Sequence, residues 1–233
     1  MNSLKIILVA LILSINHFIF SEDDPLKNLN EKTHYLNDAL DLQFASPVAK
    51  VYKNITPDPL EKGITNFIRN SEDLNIAINN FLQGKFKDSV SDLFRFTINT
   101  SIGLVGLVDV ATHLGFTKHD EDFGQTLAVW GVSNGPYVVL PGFGPSTMRD
   151  TFAMIPDSFL DPFWFIDHVP TKNSFRGLDL IDTRARYLGL ETVVIGDHYL
   201  FFKDAYLQSR EYDIKDGNIE DDFDDFDDFD DFN

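Results

Sequence analysis

The stretch DFGQTLAVWGVSNGPYVVLPGFGPSTMRD, residues Asp122–Asp150, decides how the chain is interpreted. It contains five glycines and three prolines, which interrupt regular structure, but only three charged residues. Surface loops this rich in Gly and Pro are usually diluted with polar residues, whereas this one is filled with Val, Leu and aromatic side chains. The pattern predicts irregular backbone that is buried or lies against an apolar phase.

The composition restricts the class of protein. The chain has 233 residues, 43% of them hydrophobic, which is enough for one domain with a core. The 22 phenylalanines fit a protein with apolar contacts in its interior and with lipid, and a biased genome composition is the alternative explanation. A net charge of −18 without a basic patch argues against nucleic-acid binding. Because these residues include no cysteine, disulfides and thiolate sites are excluded.

Residues 1–21 are predicted to be an export signal. Lys5 supplies a positive charge, and Ile6–Phe20 is a mainly apolar run. Cleavage after Ser21 is one interpretation. An uncleaved anchor is the other, because the 17 residues Leu4–Phe20 would form a helix of about 25 Å, at the short end of what spans a bilayer. Both interpretations place residues 22–217, predicted to form one domain, outside the cytoplasm.

Residues 218–233 are predicted to be a disordered acidic tail. Four copies of Asp-Asp-Phe occupy residues 221–232, with Glu220 directly before them. Repulsion among the carboxylates favours an extended chain. Three roles stay open: a solvated tail, a segment whose phenylalanines insert into a basic partner, and a trap for divalent cations.

Apolar periodicity predicts a mainly α fold. A helix is expected over about Leu60–Arg69, and a second from the capping residue Ser71 to Gly84. Pro47 is expected to interrupt helical structure in Tyr35–Tyr52. Three further expectations concern the second half of the chain: a helix over Leu178–Leu190 with Arg184 and Arg186 on its surface, a last helix over Asp197–Tyr212, and short strands at Tyr137–Leu140 and Val193–Ile195.

The region Lys87–Leu114 has two parts. Its first part is predicted to be an ordinary amphipathic helix, and its second part, Ile102–Leu114, is almost wholly apolar, with Gly103 and Gly106 three residues apart. Small residues at this spacing let another backbone approach a helix closely. The second part is therefore a core helix or a helix against a bilayer. The apolar face of the first part comprises Val90, Leu93, Phe94 and Ile98.

The sequence carries no motif that indicates catalysis. Asp122-Phe123-Gly124 lacks the other kinase motifs, and Ser146 does not stand between glycines as in a nucleophile elbow. The six histidines show no metal-ligand spacing, and the charged run His119–Asp122 is interpreted as a solvated loop. We predict no enzyme activity, no cofactor and no metal. A hydrolase with a dispersed triad is the alternative.

Motifs spread over residues 24–217 resemble one known family. The pattern of Asp122–Asp150 is similar to the signature of the MlaA family, also called VacJ, and shorter matches precede and follow it. The shorter matches include Asp24-Pro25-Leu26, Gly63-Ile64-Thr65-Asn66-Phe67, Phe81-Leu82-Gln83-Gly84, Asp109-Val110-Ala111, Asp182-Thr183-Arg184-Ala185 and Ala205-Tyr206.

The resemblance implies a mainly helical, ring-like single domain with an amphipathic central channel. Proteins of this family remove mislocalised phospholipids from the outer leaflet of the outer membrane. They pass the lipids to a periplasmic carrier of the MlaC type, often beside a trimeric porin. The expected location is therefore the periplasmic side of the outer membrane. Family members are usually lipidated on a cysteine, so this chain, which has none, is expected to be held differently.

The resemblance also suggests which residues contact lipid. The irregular stretch is expected to line the lipid path, because polar backbone at membrane depth is tolerated where it lines a cavity. Arg95 and the pair Arg149-Asp150 are interpreted as internal ion-pair partners. The alternative to an embedded ring is a soluble periplasmic lipid-binding or adaptor protein. The lipid-path candidates are Trp130, Ser133, Asn134, Tyr137, Phe143 and Ser146, and the membrane-facing helix candidates are Ile102, Leu104, Val105, Leu107 and Val108.

Overall fold

The computed structural model describes residues 24–189, 194 and 196–218, and this part of the chain is mainly helical, as predicted. The export signal, the Asp-Asp-Phe repeats and two of the three residues of Val193–Ile195 lie outside the described residues. The helices are α1 (Lys27–Leu40), α2 (Ser46–Ile55), α3 (Asp58–Leu82), α4 (Phe86–Ser101), α5 (Val110–His113), α6 (Phe123–Val129), α7 (Met148–Leu160), α8 (Val169–Arg186) and α9 (His198–Ile214).

Pro47 was predicted to interrupt helical structure, but the helical path continues through it. A π-helical turn, Asp41–Ala45, joins α1 to α2, and Pro47 lies in the first turn of α2. A proline ring normally clashes with the carbonyl group four residues earlier in a regular helix. The wider π turn accommodates the ring, so the chain stays helical from Lys27 to Ile55.

Helix α3 is a single helix of 25 residues, so the predicted start at Ser71 is wrong. The Ser71 hydroxyl donates to the carbonyl of Ile68 at 2.6 Å, as serine does inside a helix, and caps nothing. The predicted end at Gly84 is confirmed. Gly84 has a φ of +84°, and the following amide of Lys85 donates to the carbonyl of Asn80.

Helix α4 is amphipathic as predicted, but it packs on α3 with its polar face. The buried residues of α4 are Ser89, Asp92, Arg95 and Asn99. Val90, Leu93 and Phe94, which belong to the predicted apolar face, are exposed. Periodicity revealed two faces on this helix, but it did not reveal which one meets the protein.

The apolar segment after α4 is an irregular loop and the short helix α5, so the predicted helix over Ile102–Leu114 is wrong. Leu104 and Val105 have φ values of +55° and +60°, which a right-handed helix excludes. A side chain at Gly103 would overlap backbone atoms of Asn99 and Val108. The close approach expected of this glycine therefore occurs within a folded loop rather than between helices.

A two-stranded antiparallel hairpin interrupts the helices. Strand β1 (Tyr137–Leu140) confirms the predicted strand, and β2 (Gly144–Thr147) pairs with it in a register that aligns Val138 with Ser146. Tyr137 and Val139 pack on Tyr199 of α9 to form a small aromatic core.

Polar and apolar side chains of the described residues are distributed unusually between the interior and the surface. Among them, 22 polar residues are buried against 10 apolar ones, and 35 large apolar side chains are exposed. Soluble domains normally bury apolar side chains and expose polar ones. Within the described residues, no helix has the length and apolar character needed to cross a membrane.

Candidate functional site

An apolar cleft of about 550 Å³ opens beside the tip of the hairpin. The π turn, α2 and α8 form its walls, with Phe44, Val48 and Leu180 among the lining side chains. At its edge Arg184 pairs with Asp41 through two hydrogen bonds of 2.6 and 2.9 Å. Arg184 was predicted to lie on the surface of its helix, so this paired position is a correction.

A second cavity of about 200 Å³ lies on another side of the hairpin; it has apolar walls that include Leu140 and Met154, and we call it the polar cavity after its charged side chains. Asp122, Asp150 and Arg210 line it together with Ser146. Phe143, at the hairpin tip, lines both cavities and is 76% exposed. The two cavities therefore meet at one aromatic side chain, with apolar walls on one side and charged groups on the other.

The charged groups of the polar cavity form a cluster centred on Arg210. Its guanidinium donates to Asp122 at 2.7 and 2.6 Å and to Asp150 at 3.0 and 3.1 Å. Asp150 also accepts hydrogen bonds from Tyr206 and Arg149, each at 2.9 Å. The predicted internal pairing of Arg149 with Asp150 is confirmed.

These contacts keep the cluster ionised. Burial alone raises the pKa of Asp150, but hydrogen bonding and attraction from Arg210 outweigh burial and hold the pKa below its ordinary value. Burial alone lowers the pKa of Arg210, whereas its bonds to Asp122 and Asp150 raise it overall. A side chain at position 124 would overlap Arg210 and Asp150, which explains why glycine follows Asp122-Phe123.

Two asparagines of α1 hold the hairpin in place. Asn30 donates to the carbonyl of Tyr137 and accepts from the amide of Val139, both at 2.9 Å. Asn37 repeats the pattern with Leu140 and Gly142 at 2.9 and 2.8 Å. Residues seven apart share one face of a helix, so α1 presents two amide groups to the free edge of β1. Sequence reasoning missed these residues, and their seven-residue spacing was the available signal.

A third cavity, of about 190 Å³, lies in the polar interface between α3 and α4. Arg95 crosses it, donating to the carbonyl of Phe116 at 2.8 Å and to Asp109 at 3.3 Å. Lys118 donates to Asp73 at 2.6 Å. The predicted role of Arg95 as an internal ion-pair partner is confirmed.

The charged run at residues 119–122 is tied to the protein, so its interpretation as a solvated loop is wrong. His119 lies 2.9 Å from Asp92, and Glu121 accepts from Lys85 at 2.8 Å and from Gln83 at 2.7 Å. The partners come from α4 and from the end of α3. The sequence alone does not show that these segments lie beside this loop.

The structure brings together only some of the lipid-path candidates. Phe143 and Ser146 both line the polar cavity. Tyr137, the first residue of β1, is buried against α9 instead, and Trp130 is exposed, with its indole nitrogen donating to the carbonyl of Leu82. Ser133 and Asn134 are half-buried and line none of the three cavities. The membrane-facing candidates Ile102, Leu104, Val105, Leu107 and Val108 are all exposed, and their contact with lipid stays a prediction.

A comparison with protein families identifies this architecture. A family model described as MlaA lipoprotein matches residues 22–213. The chain belongs to the MlaA family. A solved MlaA-like structure, from work on the structural basis for maintenance of bacterial outer membrane lipid asymmetry, is 30% identical to it. This match has a TM-score of 0.74 and covers 82% of this chain and 99% of the other. The predicted mainly α fold class is confirmed.

Individual relatives of the MlaA family agree with this assignment. The intermembrane phospholipid transport system lipoprotein MlaA of Escherichia coli (strain K12) is 31% identical, over 84% of this chain and 80% of its own. Its namesake from Haemophilus influenzae is 29% identical over 92% of each chain. The Rickettsia prowazekii protein RP093 is 36% identical over 82% of this chain and 78% of its own.

Proposed function

We propose that this protein takes part in intermembrane phospholipid transport, the process for which its MlaA relatives are named. It removes mislocalised phospholipids from the outer leaflet of the outer membrane and so maintains lipid asymmetry. No covalent step is needed, because such a lipid is already unfavourably placed. The protein only lowers the barrier that a polar headgroup meets in hydrocarbon, which amounts to several kcal/mol.

The observation that carries this proposal is the inverted burial of α4, where it packs on α3, in a chain of the MlaA family. Polar side chains face each other inside, and Val90, Leu93 and Phe94 face outward. In water this arrangement is costly, whereas a lipid phase outside reverses the cost. The exposed loop at 102–108 continues the apolar exterior.

The two cavities at the hairpin tip form the proposed lipid path. The apolar cleft accepts acyl chains against Phe44, Val48 and Leu180, and the polar cavity presents Ser146 and charged groups to a headgroup. Phe143 lies where the two meet. When a lipid moves past Phe143, its acyl chains stay in the apolar cleft and its headgroup stays beside the charged groups, as an amphipathic channel requires.

Location and partners complete the proposal. We propose that the protein lies at the periplasmic side of the outer membrane, where it passes lipid to a carrier of the MlaC type beside a trimeric porin. Because no cysteine occurs among the 233 residues, we propose that the apolar exterior, rather than a lipidated cysteine, holds it there.

The test is a measurement of outer-leaflet phospholipid with a probe restricted to the cell surface. Deletion of the gene is expected to raise this phospholipid, and the wild-type gene to restore it. Phe143→Glu, which puts a charge at the junction of the cavities, is expected to fail in restoration, whereas the apolar Phe143→Leu succeeds. An unchanged outer leaflet after deletion, with recovery of the protein in the soluble fraction, would favour the soluble adaptor instead.

A further inference from the structure

Three metal-ligating side chains meet where α1 contacts the start of α9. His34 and Asp38 lie one turn apart on α1, and His198 is the first residue of α9. Each offers one ligand atom, and these atoms all lie within 4.8 Å of one another. We propose that His34, Asp38 and His198 bind a Zn²⁺ ion that ties α1 to α9.

The distances between the ligand atoms fit a tetrahedral ion. His34 Nε2 lies 2.8 Å from His198 Nδ1 and 3.5 Å from Asp38 Oδ2, and the remaining side of the triangle, from His198 Nδ1 to Asp38 Oδ2, is 3.2 Å. Zinc bound to nitrogen and oxygen at about 2.0–2.2 Å has ligands separated by about 3.3 Å along a tetrahedral edge. The observed triangle therefore needs shifts of only a few tenths of an ångström to bind the ion.

The donor set selects the metal. Two imidazole nitrogens and one carboxylate suit Zn²⁺, whereas Ca²⁺ and Mg²⁺ prefer oxygen ligands alone. His34 is buried, while Asp38 and His198 have 35% and 41% of their side chains exposed. Solvent can therefore supply a water as the fourth ligand from their side.

Neighbouring rings hold both imidazoles in position. The His34 ring lies 5.8 Å from that of Tyr199 and 5.7 Å from that of Phe202, and the His198 ring lies 4.7 Å from Phe202. A ligand fixed by packing loses little freedom when the ion binds. The site is thus built by side chains of both helices and is not a chance meeting of mobile surface groups.

The position of the site gives it a structural role. His34 lies between Asn30 and Asn37, the two residues of α1 that hold β1. An ion at His34 would therefore brace the helix face that positions the hairpin and its tip. Zinc would act as a clamp behind the proposed lipid path without contacting the lipid.

Cobalt and zinc titrations of the full chain, purified in detergent without a histidine tag and stripped of metal, test the site. Co²⁺ is added with excess Mg²⁺ and Ca²⁺, which occupy carboxylate-only sites such as the acidic repeats. We expect saturable visible absorption at one Co²⁺ per chain, displaced by Zn²⁺, and a higher melting temperature with Zn²⁺. Since the chain has no cysteine, the spectrum reports nitrogen and oxygen ligands only.

Variants separate this site from other binding. His198→Gln and Asp38→Asn, both at half-exposed positions, are each expected to weaken Co²⁺ binding by at least about tenfold and to abolish the zinc-induced rise in melting temperature. The control is His168→Gln, at an exposed histidine directly before α8, and it is expected to bind Co²⁺ like the wild type. Without metal, all variants should melt within a few degrees of the wild type. The proposal would be overturned if Co²⁺ binding were absent or non-stoichiometric, or if both site variants kept it. His34, Asp38 and His198 would then form only a hydrogen-bonded group without a metal.

Discussion

The interface of α3 with α4 and the hairpin beside α9 are two interiors built on opposite principles. The first, which we call the polar interior, buries Asp73, Asp92, Arg95 and Asn99 and turns its apolar side chains outward. The second packs Tyr137 and Val139 on Tyr199 in the manner of an ordinary soluble core. The contrast indicates that one chain can be organised for two surroundings, with lipid proposed outside the helix pair and the proposed lipid path beside the hairpin.

The energetic basis of the two interiors differs accordingly. In the aromatic core, burial of apolar area supplies the stabilisation. In the polar interior, each buried charge has lost water and depends on its partner, so removing one partner leaves the other uncompensated. Substitutions of single residues can therefore distinguish the two regions.

The largest effect is expected for Arg95→Leu in the polar interior. This change removes the buried cation beside Asp109 and one of the two cations beside Asp73, which keeps only Lys118, and it should lower the free energy of unfolding by about 3–5 kcal/mol. Denaturant unfolding in detergent measures it. Arg69→Leu is the control, since Arg69 lines the same cavity but is exposed, and it should cost little. Equal losses in the two variants would mean that the polar interior does not depend on this pairing.

A somewhat smaller loss is expected for Asn30→Ala on the hairpin side. The substitution leaves the carbonyl of Tyr137 and the amide of Val139 without partners, which costs about 2–3 kcal/mol. Hydrogen exchange at Val139 should accelerate together with the loss of stability. Asn28→Ala, an exposed position on the same helix, should change neither quantity. Unaltered exchange at Val139 would show that α1 does not hold the hairpin.

Asp150→Asn is expected to cost about 2 kcal/mol at neutral pH, because Arg210 and Arg149 lose a charged partner. The folded-state pKa of Asp150 is depressed, so its contribution is present above the ordinary carboxyl pKa of 3.8 and is lost as the pH falls through the lower folded value. The difference in stability between wild type and variant should therefore be constant from pH 7 to 5 and shrink below about pH 4. Urea unfolding at several pH values measures this difference. A difference that grows on acidification would contradict the assigned ionisation.

The smallest effect on stability, and the sharpest test of the contrast, is expected for Phe94→Asp on the exterior of α4. Phe94 is exposed, so unfolding in detergent should change by no more than about 0.5 kcal/mol. Recovery of the protein in salt-washed membranes should nevertheless fall, because a charge replaces an apolar contact with lipid. Thr97→Asp, at an exposed polar position of α4, serves as the control. If both variants stay with the membrane like the wild type, the exterior of α4 does not face lipid.

Part of the fold was predictable because its signals are local. Strand β1 was predicted at its observed bounds, since a short continuous run of apolar residues lies between Gly-Pro and Pro-Gly turns. The last helix was predicted within two residues of its observed end, as Asp197 caps it through the amide of Leu200. The partners of Arg210 were not predictable, because Asp122 and Asp150 lie 88 and 60 residues away in the chain.

The sequence by itself determined that the protein is mainly helical, that it resembles the MlaA family, and that a Gly- and Pro-rich apolar stretch occupies residues 122–150. Local propensities and motifs carry that information. Only the tertiary structure decided that Val90 and Phe94 face outward, that Ile102–Val108 is a loop, and that His34 meets His198. An amphipathic period defines two faces of a helix, but the neighbours of each face are set by segments distant in the chain and by the surrounding medium.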